Sequence, residues 1–190
     1  MIKTEKDLAI NAVIGIDVGA NGGIAIYIPN TPIKTVKMPK DIRDLRDLLQ
    51  YYADTYKPII FIEKVSMRTD DIDMSQGDRK RAMAKLFRIQ NMMANYEHLK
   101  AIIETCDIPY VMVHPQKWQS KLNLRLKGVK EEKAERKNRY KAKAEELYKI
   151  KATLWSADAI LIMHFGRFVL ANELDWVLQQ LPQREQVKLF

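Results

Sequence analysis

Five short apolar runs bounded by turn residues predict the strands of a sheet. They cover about residues 12–18, 22–29, 33–38, 58–63 and 110–113. The Gly-Gly pair at 22–23 and the Asn-Thr-Pro segment at 30–32 supply turn residues for the first three runs. These three strands are therefore expected to form a meander.

Apolar residues at helical spacing predict the helices. They cover about residues 41–55, 79–105, 130–148, 156–171 and 174–181, and a short helix carrying Trp118 follows the fifth strand. Asp41 and Ser156 are expected to cap two of these helices, because their side-chain oxygens accept from free N–H groups of the first turn. A chain of 190 residues is long enough for one α/β domain over residues 1–190, with a helical tail from about residue 172.

The helix expected at 79–105 carries a wide apolar stripe. The stripe consists of Leu86, Ile89, Met92, Met93, Tyr96, Leu99 and Ile103. Two interpretations stay open: the whole stripe packs in the core, or part of it meets a partner chain.

Three acidic residues stand where apolar segments end or begin. Asp17 ends the first strand at a Gly-rich turn, Glu63 ends the fourth strand, and Asp158 starts the helix of the segment SADAILIMHFGRF. Each acid alone is typical of a helix cap or a solvated strand end. Together they fit a hard divalent cation such as Mg²⁺, which is held by a few carboxylates, water and substrate phosphates. We expect these three residues to be both metal ligands and catalytic residues.

The segments GIDVGANGGIAI, IIFIEKV and ADAILIMHFGR resemble, in that order, the metal-binding segments of RuvC-like Holliday junction resolvases of the ribonuclease H-like superfamily, above all the phage-encoded members. The segment IPYVMVHPQKWQSKL also resembles the penultimate strand of that family and the turn after it. The resemblance extends over about residues 13–167. It implies a five-stranded mixed sheet flanked by helices, a homodimer, and nicking of four-way DNA junctions that depends on Mg²⁺, with Mn²⁺ as a substitute.

With two Mg²⁺ ions, one would lower the pKa of the attacking water and the other would stabilise the leaving oxygen. Asp17 is then the candidate bridging ligand, with Glu63 on one ion and Asp158 on the other. The family usually has a fourth acid about one helical turn before the last Asp, whereas Leu154 and Trp155 stand there in this chain. The alternative is therefore a junction-binding protein that has lost cleavage.

The chain carries a net charge of +8, with a pI near 9.4, which suits a polyanionic partner such as branched DNA. The candidate DNA-binding residues are Arg79, Lys80, Arg81, Lys85, Arg88, Lys121, Lys130, Lys133 and Lys137. For residues 130–143 a solvated helix face is an equal alternative, because glutamates alternate there with the basic residues. The acidic segment 66–77 is expected to be a loop beside the site.

Other residue types exclude several kinds of site. Cys106 is the single cysteine, which excludes an intrachain disulfide and a cysteine-rich zinc site, and we expect it to pack as a small apolar residue. The three histidines have no ligand-like spacing and are expected to be structural. No run approaches the ~20 apolar residues that span a bilayer, and no secretory signal is seen. We therefore expect no membrane partner and a location in the cytoplasm of a bacterium or a phage-infected host.

Overall fold

The computed structural model describes residues 9–19, 21–65, 79–126, 128 and 131–189. Its centre is a five-stranded sheet with the order β3-β2-β1-β4-β5. The strands are β1 (Ala12–Asp17), β2 (Gly23–Tyr27), β3 (Lys34–Lys37), β4 (Pro58–Glu63) and β5 (Tyr110–Val113). The first three strands form an antiparallel meander, and β4 and β5 add in parallel next to β1. The predicted mixed sheet and its meander are confirmed.

The helices follow the predicted order. They are α1 (Ile42–Tyr56), α2 (Arg79–Thr105), α3 (Pro115–Lys121), α4 (Lys133–Tyr148), α5 (Ala157–Asn172) and α6 (Leu174–Gln180). A further short helix, α7 (Gln183–Gln186), and a 3-10 turn (Val187–Leu189) end the described chain and were not predicted. Strand and helix ends differ from the prediction by up to three residues, as is usual where elements fray.

The two predicted helix caps differ in outcome. Asp41 caps α1, because its carboxylate accepts from the N–H of Arg43 at 2.8 Å. Ser156 does occupy the N-cap position of α5, but its hydroxyl makes no capping bond. Instead, the Ser156 hydroxyl accepts from the N–H and the hydroxyl of Thr153, both at 2.9 Å. The prediction for the Ser156 side chain was therefore wrong, because the preceding turn offers it nearer donors.

One face of the sheet is covered by α5, which packs on β1 with almost no space between the two backbones. A Cβ atom at Gly15 would lie 2.3 Å from the backbone nitrogen of Met163 and 2.4 Å from the carbonyl oxygen of Ala159. Only glycine allows this approach. The contact holds the start of α5 beside the end of β1, and α4 packs on the outer side of α5.

The other face is covered by α1 and by the C-terminal half of α2. Leu45, Leu49, Leu99 and Ile103 are buried there against the isoleucines of the sheet. Cys106 is buried in the same cluster, as predicted, and is a free thiol. Within the described ranges, no helix is long and apolar enough to cross a membrane.

Candidate metal site and nucleic-acid interface

The candidate site lies at the edge of the sheet where two central strands end. Asp17 is the last residue of β1 and Glu63 is the last residue of β4. The two strands are parallel, and their register pairs Ile16 with Ile62, so the two acids follow side by side. Carboxyl ends of parallel strands are a common place for functional groups. The sequence alone thus places two acids at one edge once the strands pair.

The third acid comes from α5. Asp158 lies in the first turn of this helix and is 7% exposed. Its position follows from the close packing of α5 on β1 at Gly15, one turn further along the helix. A carboxylate near a helix N-terminus is favoured by the helix dipole. The sheet and α5 therefore bring acids from three distant segments to one place.

The three carboxylates influence each other electrostatically. Burial, followed by the neighbouring carboxylates of Asp17 and Asp158, raises the pKa of Glu63 to about 7. Burial and then the charge of Asp158 raise the pKa of Asp17. Both effects oppose ionisation, because burial removes the water that stabilises a charge and because like charges repel. The charge of Asp158 thus acts on both Asp17 and Glu63 across a partly buried region.

A lysine from α4 supplies the main positive charge in this region. The Nζ atom of Lys137 donates to Oδ2 of Asp158 at 2.5 Å. The charge of Lys137 also lowers the pKa values of Asp17 and Glu63, although less than burial raises them. Lys130, Lys133 and Lys137 were equal candidates in the sequence. The structure brings Lys137 to the acids, leaves Lys133 exposed, and does not describe Lys130.

One oxygen of the cluster has no partner. Oδ1 of Asp158 is buried and accepts no hydrogen bond from the described residues. A buried carboxylate oxygen without a donor is costly, because it has lost water and gained nothing. Such an atom marks a place where a cation or a hydrogen-bond donor would be accommodated favourably.

A tryptophan of α3 forms a hydrogen bond with Glu63. The indole Nε1 of Trp118 donates to Oε1 of Glu63 at 3.3 Å, and this bond lowers the pKa of the acid. The Trp118 side chain is fully buried and meets the ring of Tyr140 edge-on at 5.5 Å. The sequence interpretation placed Trp118 on α3 but missed this role. The Pro115-x-x-Trp118 pattern directly after β5 was the available signal.

The donor set fits a hard divalent cation in its chemistry, since it consists of carboxylate oxygens with one oxygen unsatisfied. The carboxylates are not arranged as a complete coordination shell. In the part of the chain that the structure describes, no three His, Cys, Asp or Glu side chains converge as a group that could hold a metal ion. Asp158 is engaged with Lys137 instead. A cation would thus have to compete with the lysine ammonium for Asp158.

The position of the expected fourth acid is apolar, as the sequence indicated. Leu154 is 53% exposed, and Trp155 is partly buried. The Trp155 ring lies against the β1–β2 hairpin, where a Cβ atom at Gly23 would be 2.7 Å from its Cε3 atom. Gly23 pairs with Asp17 in the sheet register. An aromatic surface therefore borders the carboxylates where the sequence pattern anticipated a fourth acid.

The basic residues fall into distinct groups. Lys85 and Arg88 are exposed on α2, whereas the side chains of Arg79, Lys80 and Arg81 lie outside the described residues, although their backbone begins α2. Lys121 on α3 pairs with Glu173 and lies 4.5 Å from the Phe168 ring centre, so its charge is partly neutralised. The predicted acidic loop at 66–77 also lies outside the described residues.

For residues 130–143 the two alternatives were DNA contact and a solvated helix face, and on α4 they apply to different residues. Arg139, Lys141 and Lys143 each pair with a glutamate from α4 or from the segment just before it. The pairs of Lys141 and Lys143 agree with a solvated helix face, whereas the Arg139–Glu131 pair is largely buried. Lys137 faces the acids instead. Charge patterning in the sequence could not separate the two groups, because both contain alternating lysine and glutamate.

The sequence matches no protein-family model, and no curated protein sequence is similar to it. Solved structures are similar in fold. T. thermophilus RuvC in complex with a Holliday junction substrate has a TM-score of 0.50 and 13% identity, over 83% of this chain and 93% of that one. A second Thermus thermophilus RuvC structure has a TM-score of 0.49 and 12% identity, over 83% and 94%.

The first of these structures, together with the strand order and flanking helices, establishes the architecture. The chain has the RuvC-like, ribonuclease H-like fold that its sequence predicted. At 13% identity the likeness concerns the fold alone.

Proposed function

We propose that this protein is a structure-specific DNA endonuclease that nicks four-way Holliday junctions by metal-dependent phosphodiester hydrolysis. The observation that carries the proposal is geometric: on a RuvC-like fold, Asp17 and Glu63 end two paired parallel strands, and Asp158 in the first turn of α5 lies near enough for its charge to act on both. The fold neighbour in complex with a Holliday junction substrate supports the choice of DNA.

In this proposal Asp17, Glu63 and Asp158 hold Mg²⁺, or Mn²⁺ in its place. The bound metal would supply Lewis acidity, which activates a water and stabilises the leaving oxygen. Asp17 is central, because it ends β1, between β2 and β4. Trp118 keeps the carboxylate of Glu63 oriented, and Lys137 contributes a positive charge beside Asp158. Released from Asp158, the Lys137 ammonium would be available to a phosphate oxygen.

The DNA backbone is proposed to contact the basic beginning of α2 and the lysines near the site. Lys85 and Arg88 are exposed there, and Arg79, Lys80 and Arg81 precede them on the same helix. Lys121, Lys130 and Lys133 complete the proposed set. Phosphate binding releases counterions, which makes such contacts favourable and sensitive to salt.

A homodimer is proposed through the first half of α2. Met83, Leu86, Phe87 and Met92 are large apolar residues that are exposed on this half. A two-fold pair of chains would place two sites on one junction, which itself has near two-fold symmetry.

The sequence resemblance also supports a phage-encoded protein that acts in the cytoplasm of a bacterial host.

The second candidate function is a junction-binding protein without cleavage. Leu154 and Trp155 favour it, because neither residue binds a metal.

The decisive test is a nicking assay on a synthetic four-way junction over a range of Mg²⁺ and Mn²⁺ concentrations. We expect the wild type to nick and Asp17→Asn to lose ~10³-fold or more in rate with junction affinity retained, since it loses a metal ligand rather than a phosphate contact. Asp47→Asn, on the exposed face of α1, is the matched control and should nick normally. Binding without nicking by the wild type at every metal concentration would leave the non-cleaving candidate.

The backbone contacts are tested separately. Replacing Arg79, Lys80 and Arg81 together with Ala should weaken binding equally for junctions of different sequence. The slope of log K against log salt should become shallower by about 3 if all three residues contact phosphates, because fewer counterions are released. Replacing Lys141 and Lys143, which pair with glutamates on α4, is the control and should leave the slope unchanged. An unaltered slope in the triple variant would remove this segment from the interface.

A further inference from the structure

The turn between α4 and α5 carries two adjacent apolar residues, Leu154 and Trp155, which we call the apolar tip. Leu154 is 53% exposed, and Trp155 is partly buried. Exposed apolar side chains are ordinary when single. Here an aliphatic and an aromatic residue lie side by side at the border of a charged site. Such a pair can contact a ligand that binds at this site.

The apolar tip is held in place by hydrogen bonds on both sides. The N–H and the hydroxyl of Thr153 donate to the Ser156 hydroxyl, each at 2.9 Å. The N–H of Ala152 donates to Glu145 of α4 at 3.1 Å. The backbone N–H of Ala157 also bonds to the Thr153 carbonyl at 3.0 Å. A tip that is ordered in advance loses little conformational entropy when it meets a ligand.

The apolar tip lies beside the carboxylates. The ring of Trp155 packs on Gly23, which pairs with Asp17 in the sheet, and Asp158 follows three residues later in the chain. The tip is thus next to the place where a phosphodiester would be cut. Neither Leu154 nor Trp155 can bind a phosphate by charge. The part of DNA that an aromatic and an aliphatic surface can contact favourably is the face of a base.

We propose that Leu154 and Trp155 contact the face of an unstacked base at the branch point, next to the scissile phosphate. This proposal rests on the function proposed above. In continuous duplex DNA the base faces are stacked and inaccessible, whereas a branch point exposes them at a lower unstacking cost. The apolar tip would therefore favour branched DNA over duplex DNA, and it would do so at the position where the family pattern places an acid.

The contact is tested directly by photocrosslinking. The inactive Asp17→Asn protein is bound to a junction that carries 5-iododeoxyuridine at single positions next to the crossover, and irradiated crosslinks are mapped by mass spectrometry. We expect crosslinks at Trp155 from positions beside the crossover and none from positions far along the arms. Trp176, which is partly exposed on α6, serves as an internal control and should not crosslink. Crosslinks only at other residues, or only between protein chains, would overturn the proposal.

Selectivity gives an independent readout. Trp155→Ala should reduce the ratio of junction affinity to duplex affinity about 10-fold, and Trp155→Phe should retain most of it, since base stacking needs an aromatic face. Leu154→Ala, at an exposed position, should reduce the ratio less and keeps the test valid if Trp155→Ala fails to fold. An unchanged ratio in a folded Trp155→Ala or Leu154→Ala variant would contradict the contact.

The two proposals fail in different ways. If Asp17→Asn does not bind junctions more tightly than duplex, the function proposed above is wrong. If it binds junctions selectively while crosslinks avoid Trp155 and alanine variants keep their selectivity, only the contact by the apolar tip is wrong.

Discussion

The beginning and the middle of α5 carry polar clusters of opposite character. At its beginning, Asp158 lies near two other acids, and one of its buried oxygens has no partner among the described residues. Around its middle, His164 and Arg167 meet Tyr148, whose hydroxyl hydrogen bonds to Nδ1 of His164 at 2.8 Å and accepts from Arg167 at 3.1 Å. Arg167 also lies 3.6 Å from the ring centre of Tyr27.

Electrostatics makes the same distinction. Burial and the cations of Arg167 and Lys143 lower the pKa of His164, so the ring is neutral and fits its tyrosine partner. Among the acids, by contrast, burial and like charges raise the pKa of Glu63 to about 7. The cluster around the middle of α5 stabilises the fold, whereas the cluster at its beginning keeps an unfavourable excess of negative charge. Such an excess is typical of functional sites.

The largest expected effect on stability comes from Glu63→Gln in metal-free buffer. The folded protein binds the Glu63 proton more tightly than the unfolded chain, so the contribution of Glu63 to stability is greatest below about pH 4.5 and is lost as the pH rises to about 7. Gln does not titrate and can still accept from Trp118. The variant should therefore be more stable than the wild type by about 2 kcal/mol at pH 8 and similar at pH 4.5.

Urea unfolding in EDTA at these two pH values measures the difference. Glu97→Gln on the exposed side of α2 is the control, and it should show no comparable gain. Equal stabilities of Glu63→Gln and wild type at pH 8 would mean that the acids do not repel each other as described.

A somewhat smaller effect is expected for Lys137→Met, which keeps the aliphatic stem and removes the ammonium beside Asp158. Without metal the variant should lose about 1–2 kcal/mol, because a buried carboxylate loses its counter-charge. Mg²⁺ should raise the Tm of the variant more than that of the wild type, because the ion no longer competes with the lysine. Thermal unfolding with and without Mg²⁺ checks this.

Lys133→Met is the matched control, since Lys133 lies one helical turn earlier on α4 and is exposed. Its Tm should respond to Mg²⁺ as the wild type does. The same Mg²⁺ response in Lys137→Met and wild type would show that metal and ammonium occupy separate places.

The smallest effect is expected in the cluster around the middle of α5. Tyr148→Phe removes the hydroxyl that joins His164 and Arg167, and should cost about 1 kcal/mol of unfolding free energy. Junction nicking by the folded variant should be unchanged. Tyr51→Phe, at an exposed position on α1, provides the control for stability. A loss of nicking without a loss of stability would assign this cluster a role in function.

The sequence predicts the sheet well because each strand is a short apolar run with turn residues at its ends. It also predicts Asp17 and Glu63 as acids at strand ends, whereas the parallel pairing that makes them neighbours is seen only in the structure. The sequence does not predict which lysine reaches them. That choice depends on how α4 rotates when Tyr140 and Ala144 become buried, which turns Lys137 toward Asp158.

Two further features depend on tertiary contacts. Trp118 reaches Glu63 because β5, which α3 follows directly, pairs with β4 and brings Val113 opposite Glu63. The Ser156 hydroxyl turns toward Thr153 because a tight turn brings the two residues together. Local sequence rules describe helix starts in general, and they do not weigh a competing donor three residues away.

Gly15 has a consequence for how this protein tolerates mutation over evolutionary time. Most of the core consists of aliphatic side chains, and such residues exchange with one another at modest cost when total volume is kept. Gly15 allows no exchange, because any side chain there would separate α5 from β1. It has no reactive group, and yet the spacing of Asp17 and Asp158 depends on it. Proteins of this lineage that keep the chemistry would therefore have to keep Gly15 as strictly as they keep the acids themselves.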